Sequence, residues 1–276
     1  MATIHVFKTA ETKLGADPDF GDIKDSGLSE KGLDQCLEFS AHSEFLPSMQ
    51  YVTHVVSSPL RSSIYSCRIA LDRVVSSQSI TVLSQLMDVG FPIPSFGTNT
   101  VQLFLEFADQ IDRSNLPSNW MSTTPGGASE YDLEKIKART KAAREWLMEL
   151  ARTAGEKAHI VVMTHGLTAH LVTDDFQGVE PPNYEANWDG DLSWRSYKFD
   201  FDAKKMVEIP SSLERRRVEN TNVLTDDENA GLREVIEDRI ERYAPFIQEY
   251  QDFHREAEKI RKAEKKAIED MERLTL

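Results

Sequence analysis

Three short apolar runs that end in polar residues constrain the fold of this chain more than any other feature. The runs cover residues 4–7, 52–56 and 159–163. The polar segments that follow them are Lys8-Thr9-Ala10, Ser57-Ser58-Pro59-Leu60 and Thr164-His165-Gly166. Helical apolar spacing occurs between the runs, at about 29–41, 61–73 and 130–154. Because strands and helices alternate in this way around parallel sheets, we predict an α/β three-layer sandwich, a mostly parallel sheet with helices on both faces.

Two later regions break this alternation. Residues 88–128 contain several prolines and five aromatic residues, and they are too apolar for a disordered linker. They are interpreted either as a lid over the carboxyl ends of the strands or as a surface excursion with its own small core. Residues 194–208 predict one further strand, antiparallel at a sheet edge. We therefore expect a domain at 1–210, with 88–128 as a lid-like insert, and a charged helical extension at 211–276.

The extension carries an apolar heptad pattern. Its members alternate at spacings of four and three, and they are Phe246, Tyr250, Phe253, Ala257, Ile260, Glu264, Ala267, Met271 and Leu274. This spacing predicts a long C-terminal helix, which Pro245 should kink or start. Three arrangements remain open: a helix docked on its own domain, a homodimeric coiled coil, or a frayed solvated tail.

Charge and cysteine content exclude several classes of function. The net charge of −14 disfavours nucleic acid and anionic lipid as partners, and the basic run Glu214-Arg215-Arg216-Arg217 is interpreted as a solvated turn. No apolar run approaches the ~20 residues of a membrane span. Two cysteines, Cys36 and Cys67, argue against a disulfide framework and for a cytoplasmic location. We expect a small-molecule partner, and we expect neither a cofactor nor a metal.

The three segments, in this order, resemble the histidine phosphatase (phosphoglycerate mutase-like) superfamily over about residues 1–200. The stretch from Asp25 to Cys36 is similar to that family's Leu-Thr-x-x-Gly-x-x-Gln motif. The stretch from Thr164 to Phe176, and the later Trp194-Arg195-Ser196-Tyr197, are similar to versions seen in fungal members. The resemblance implies a phosphoglycerate mutase-like fold and a site at the carboxyl ends of the strands.

The family mechanism uses a nucleophilic histidine, two arginines that clamp phosphate, a second histidine and a carboxylic acid. The resemblance assigns the first arginine to Lys8 and the nucleophile to Thr9. Lysine keeps the charge but loses the bidentate fork of arginine. A threonine hydroxyl is a weak nucleophile at neutral pH without an adjacent base. These two replacements remove the nucleophile and one of the two arginines that clamp the phosphate.

The remaining three groups are changed to different degrees. The second arginine corresponds to Ser62, and its neighbour Arg61 is turned by about 100° if the segment is helical. The acid corresponds to Asp88, which is one methylene shorter than the family's glutamate. The second histidine is His165, in an intact context. Since removal of groups that act together costs several orders of magnitude in rate, we predict no phosphatase or mutase activity by the phosphohistidine route.

Three functions stay open at this point. The first is a repurposed acid–base enzyme that dehydrates, isomerises or cyclises a small, largely apolar metabolite; the resemblance suggests fungal secondary metabolism. Its predicted catalytic residues are His165, Asp88 and Lys8, and its predicted substrate-binding residues are Thr9, Glu11, Arg61, Ser62 and Trp188. The second is a pseudoenzyme that binds or scaffolds through the C-terminal helix. The third is a residual phosphatase with a displaced nucleophile.

Overall fold

A parallel sheet with one antiparallel side forms the centre of the molecule. The computed structural model describes residues 1–16, 25–89, 97, 100–122, 127, 130–181, 188–217 and 223–274. Within these residues seven strands form one sheet in the order β4-β3-β2-β5-β1-β6-β7. The strands are β1 (Thr3–Lys8), β2 (Val52–Ser57), β3 (Ile80–Val82), β4 (Ile111–Asp112), β5 (His159–Thr164), β6 (Trp194–Asp200) and β7 (Lys205–Glu208). Strands β1 to β5 pair in parallel, whereas β6 and β7 pair antiparallel. The predicted fold class is confirmed.

The predicted single strand at 194–208 is in fact a hairpin. Strand β6 pairs with β1, and β7 pairs with β6 at the edge of the sheet. A turn at 201–204 separates them, with Lys204 in the left-handed region at φ 53°. Because the turn is short, the two strands look continuous in the sequence.

The helices cover both faces of this sheet. They are α1 (Lys13–Ala16), α2 (Glu30–His42), α3 (Leu46–Met49), α4 (Arg61–Ala70), α5 (Asp72–Val75), α6 (Thr100–Phe107), α7 (Leu133–Ala154), α8 (Gly166–Thr173), α9 (Pro210–Arg215) and α10 (Asp226–Leu274). Side chains inside α1 and α10 are not described for residues 14–15, 254, 258, 261–262 and 265–274. Ser29, the N-cap of α2, accepts the backbone N–H of Gly32, and Asp132 caps α7 in the same way by accepting the N–H of Lys135.

Alternate side chains of the central strands pack into two separate hydrophobic cores, one on each face of the sheet. Phe7, Val161 and Met163 pack with α2 and α4 on one face. Val6 and Val162 pack with α7 and α8 on the other face. This period of two explains why β1 and β5 read as unbroken apolar runs, because a parallel strand covered on both sides has no polar face.

The insert contributes an edge strand. Strand β4 pairs in parallel with β3, and Leu103, Phe107, Ile111 and Trp120 are buried in the same core as α4. Residues 90–96, 98–99, 123–126 and 128–129 lie outside the described residues. They include Phe91, Pro92, Pro94, Phe96 and Pro125 of the predicted lid, so the lid stays a prediction.

Helix α10 docks on the domain through a face other than the predicted heptad seam, which is the set of residues from Phe246 to Leu274 that recur at spacings of four and three. Ile236, Ile240 and Ile247 are buried beside α7 and α8. Two seam residues, Phe246 and Phe253, are 66% and 69% exposed. The helix begins at Asp226, well before Pro245, and continues through it. None of the helices in the described part of the chain has the length and apolarity needed to cross a membrane.

The interpretation of the basic run as a solvated turn is wrong. Arg216 is 9% exposed and is paired with Asp189 and Glu208 at 2.6 Å. Arg215 lies over the ring of Trp194, 4.1 Å from its centroid. These arginines attach α9 to the sheet, an arrangement that charge composition alone does not indicate.

Candidate active site

The polar segments after β2, β5 and β1 meet at one edge of the sheet, because these strands are neighbours. Lys8, the last residue of β1, pairs with Thr164 at the end of β5. Thr9 donates its backbone N–H to the carbonyl of Thr164 at 2.9 Å, and Ser58 donates to Met163 at the same distance. Ligands in open α/β folds bind at such carboxyl ends. The three segments therefore form a candidate active site.

His165 is the most enclosed of the three predicted catalytic residues. It occupies the N-cap position of α8 and is 7% exposed. Its Nε2 lies 3.1 Å from Ser58 Oγ and 3.3 Å from Ser63 Oγ. Ser58 Oγ accepts the Leu60 backbone N–H at 3.3 Å, which leaves its own hydrogen for Nε2. Burial lowers the pKa of His165, and Asp88 opposes this only in part. The lowered pKa keeps the imidazole mostly neutral at neutral pH, and the ring tautomer decides whether Nε2 accepts from the Ser58 hydroxyl or donates to it.

Asp88 is held beside His165 by its flanking backbone. Three side-chain hydroxyls, those of Thr164, Thr168 and Tyr131, donate to the carbonyls of Leu86, Met87 and Val89 at 2.8, 3.0 and 3.4 Å. The two threonines precede and follow His165 on β5 and α8. The carboxyl of Asp88 is half-buried and lies within electrostatic range of His165. The structure thus brings these two predicted catalytic residues together.

The charge of Lys8 is compensated by a residue that sequence reasoning missed. Lys8 Nζ lies 2.9 Å from Asp191 Oδ1. The other Asp191 oxygen accepts Gln35 Nε2 at 3.2 Å, and Gln35 Oε1 accepts the backbone N–H of Glu11 at 2.9 Å. Lys8 is therefore part of an ion pair held in a network rather than an uncompensated cation.

The Arg61 side chain is engaged with the insert. Its Nε and Nη2 lie 2.8 and 2.7 Å from Glu106 Oε2 in α6. Tyr65 donates its hydroxyl to the other oxygen of Glu106 at 2.6 Å. The Arg61 backbone N–H donates to Asp25 Oδ1 at 2.7 Å, which satisfies one of the free amides at the start of α4. This second cation is also neutralised by a carboxylate.

The other residues predicted to line the site near β1 and α4 have structural partners. Glu11 accepts the Ser29 hydroxyl and the Lys31 ammonium, each at 2.8 Å. The hydrogen bond from Lys31 lowers the pKa of Glu11. Thr9 and Ser62 are buried, at 3% and 1% exposure. The three residues stay predictions as substrate contacts.

Trp188 is buried away from these residues. Its indole is 1% exposed in the core on the α7 side of the sheet and donates Nε1–H to the Val6 carbonyl at 3.2 Å. The guanidinium of Arg195 covers the ring at 4.0 Å. Because the ring is enclosed in this core, the structure does not place the predicted substrate-binding residue Trp188 with the other predicted site residues. Its position beside Asp189 in the sequence carries no information about burial.

Sequence reasoning also missed Arg139, in the second turn of α7. Its Nε is buried without a hydrogen-bond acceptor among the described residues. Asp88 and Tyr131 lie within electrostatic range of it, and burial lowers its pKa to about 10, so it stays charged at neutral pH. A single arginine inside a charged amphipathic helix carries no sequence signal of such a role.

Taken together, the described residues provide a neutral imidazole and an adjacent carboxylate. Two cations, Lys8 and Arg61, are paired with carboxylates, whereas Arg139 has a buried Nε without an acceptor among the described residues. Within the described parts of the chain, no group of three or more His, Cys, Asp or Glu side chains could hold a metal ion. The arrangement suits proton transfer, in which a neutral histidine accepts a proton and a carboxyl group exchanges one.

Comparison with known proteins identifies the family. The model of the histidine phosphatase superfamily (branch 1) matches residues 9–212. No curated protein matches the chain significantly.

Solved structures agree at the level of the fold. Ecdysone phosphate phosphatase from Bombix mori, in complex with tungstate, has 14% identity and a TM-score of 0.53, covering 76% of this chain and 92% of that chain. Phosphoserine phosphatase from Entamoeba histolytica, in complex with 3-phosphoglyceric acid, has 16% identity and a TM-score of 0.45, covering 75% and 95%. Phosphoglycerate mutase from Bacillus anthracis has 13% identity and a TM-score of 0.46, covering 75% and 91%.

Proposed function

This chain belongs to the histidine phosphatase superfamily, and we propose that it has lost phosphohistidine chemistry and uses its site for acid–base catalysis on a small molecule. In this proposal Thr9 occupies the position of the phosphorylated histidine. His165 is the base, the Asp88 carboxylate relays the proton, and Lys8, paired with Asp191, orients the substrate.

One observation carries the proposal. The cations nearest the lost phosphate clamp, Lys8 and Arg61, are compensated by Asp191 and Glu106. A phosphate dianion would have to displace these carboxylates, which would cost much of the binding energy. Proton transfer needs no such clamp, because a neutral His165 beside a carboxylate suffices.

The reaction balances without a co-reactant. His165 removes a proton from a substrate carbon and hands it to the Asp88 carboxylate, which delivers it to another substrate atom. When that atom remains in the product, the result is an isomerisation or a cyclisation; when it leaves as water, the result is a dehydration. A setting in fungal biosynthesis stays a prediction.

The decisive experiment has a metabolic and an enzymatic part. Metabolites that accumulate in cells lacking the gene are supplied to the purified protein, and we expect turnover that His165→Ala abolishes. His42→Ala, at an exposed histidine near the end of α2, is the matched control and should be fully active. An acid-labile, histidine-type phosphoenzyme formed from labelled phosphomonoesters would overturn the proposal in favour of a residual phosphatase.

A second candidate, a binding or scaffold protein, is favoured by the exposed face of α10. Phe246, Phe253 and Ile260 are 66%, 69% and 56% exposed and recur every seven residues. Such a repeat fits a helix with the same repeat, and a two-fold dimer makes one patch its own complement. We therefore propose a second copy of the chain as its partner.

Light scattering after gel filtration tests this assembly. The protein should elute as a dimer and the double variant Phe246→Glu/Phe253→Glu as a monomer. Leu105→Glu, at a residue of α6 that is 76% exposed, should stay dimeric. A monomeric parent protein would exclude this role for α10.

A further inference from the structure

Arg139 differs from the other enclosed arginines in having no ion pair among the described residues. Arg216, whose buried Nε also lacks a hydrogen-bond acceptor, is ion-paired with Asp189 and Glu208 at 2.6 Å. Arg144, on the same helix, donates Nε and Nη2 to the carbonyls of Val172 and Leu171 at 2.7 and 2.8 Å. Arg195 is fully buried and bonds to Asp189 through two nitrogens, at 2.9 and 3.0 Å. Arg139 has a buried Nε without an acceptor among the described residues.

That absence is energetically costly. A buried donor without a partner gives up its hydrogen bonds to water and gains none in return, and the loss is larger when the donor is charged. The rest of the Arg139 guanidinium makes no close ion pair with any residue in the described ranges. A cation held in this condition is available for an acceptor that the described residues do not supply.

The location of Arg139 connects it to the candidate active site. Helix α7 contacts α8, which follows His165, and the 3₁₀ turn Ser84–Leu86, which precedes Asp88. At the start of α7, the Tyr131 hydroxyl donates to Val89, the residue after Asp88. Both Asp88 and Arg139 act electrostatically on His165. Arg139 therefore approaches His165 from the side of α7, whereas Lys8 approaches it from β1.

We propose that Arg139 binds the anionic group of the substrate and that this group is a carboxylate. A guanidinium presents two parallel donors that match the two oxygens of a carboxylate. The nearby charge of Asp88 disfavours a second negative charge on the ligand, and Lys8 and Arg61 already have carboxylate partners. One arginine therefore suits a monoanion, which a small carboxylic acid supplies and a phosphate dianion does not. This inference rests on the proposed acid–base site and names its substrate class.

Ligand binding without turnover tests it. Acetate, benzoate and inorganic phosphate are titrated into the full-length protein, and binding is followed by the shift in melting temperature and by calorimetry. We expect saturable binding of benzoate and acetate, at least 10-fold weaker in Arg139→Gln and of intermediate strength in Arg139→Lys. Lys141→Gln removes one positive charge from an exposed position of the same helix and should bind like the parent protein.

The outcomes separate this inference from the proposed function. Equal carboxylate binding by the parent protein and Arg139→Gln, or by the parent and Arg139→Lys if the glutamine variant does not fold, would overturn the role of Arg139. Tighter binding of phosphate than of benzoate would overturn the carboxylate class. His165→Gln should bind benzoate normally while losing turnover. Normal turnover in that variant would refute the base role of His165 and leave the binding role of Arg139 standing.

Discussion

The Ser58 hydroxyl oxygen lies 3.1 Å from Nε2 of His165, a contact that joins the segment after β2 to the start of α8. Because Ser58 has its hydrogen free to donate, this contact favours the neutral imidazole. Ser58→Ala should therefore raise the pKa of His165, which NMR titration of the ring can follow. Ser63→Ala, whose hydroxyl is 3.3 Å away, should have a smaller effect. An unchanged titration in Ser58→Ala would show that Nε2 is not an acceptor from this serine.

Releasing the compensated cations should create affinity for phosphate. Asp191→Asn leaves Lys8 without its carboxylate, and Glu106→Gln does the same for Arg61. We expect inorganic phosphate to bind the double variant at least several-fold more tightly than the parent protein, as measured by calorimetry. Asp72→Asn, at an exposed aspartate of α5, controls for the change in net charge. Identical phosphate affinity in all variants would contradict the view that these carboxylates close the site to dianions.

Restoring the family nucleophile alone should not restore phosphatase activity. Thr9→His adds an imidazole after β1, but no arginine fork accompanies it. Because the groups of such a site act together, we expect no phosphoenzyme from labelled phosphomonoesters. A phosphohistidine in this single variant would show that the clamp is less disrupted than Lys8 and Arg61 indicate.

Two buried histidines should make the protein less stable in acid. Burial lowers the pKa of His5 to about 3 and of His170 to about 4. The unfolded chain takes up these protons near its usual pKa of about 6.5, so the unfolded state binds more protons as the pH falls below that value. Each histidine should then cost ~2 kcal/mol of the free energy of unfolding near pH 5.

Urea denaturation near pH 7.5 and pH 5 measures this loss. His170 lies 2.6 Å from the Asp175 carbonyl through Nδ1, and His170→Asn keeps a donor there. The variant should lose less stability than the parent protein between the two pH values. An equal loss would assign the acid sensitivity to other groups.

Arg195 should be essential for folding stability. Its side chain is fully buried and pairs with Asp189 and Asp175. Arg195→Met removes the buried cation that these two carboxylates share and leaves Asp189 with Arg216 and Asp175 with the Tyr197 hydroxyl, which should cost about 3 kcal/mol in urea denaturation. Lys205→Met breaks an exposed pair with Asp226 and should cost less than ~1 kcal/mol. Comparable losses in the two variants would contradict this assignment.

Much of the fold was predictable because buried parallel strands leave a strong local pattern. The runs at 4–7, 52–56 and 159–163 lie within β1, β2 and β5. Strands β3 and β4 have three and two residues, too few for any periodicity, and they exist because a neighbouring strand pairs with them. The docked face of α10 was missed because the helix carries two apolar stripes, one with Ile236 and Ile240 and one with Phe246 and Phe253. Only packing against α7 and α8 determines that the isoleucine stripe is the buried one.

The sequence by itself determined which residues stand at the carboxyl ends of the central strands, because each apolar run ends directly before Lys8, Ser57 or Thr164. Tertiary structure alone decided the partners of these groups. Asp191, Glu106 and Arg139 come from loops and helices that are distant in the sequence. No local sequence pattern therefore predicts that they lie near the site. Charge compensation depends on distances of a few ångströms, and the packing of these loops and helices against the strands sets those distances.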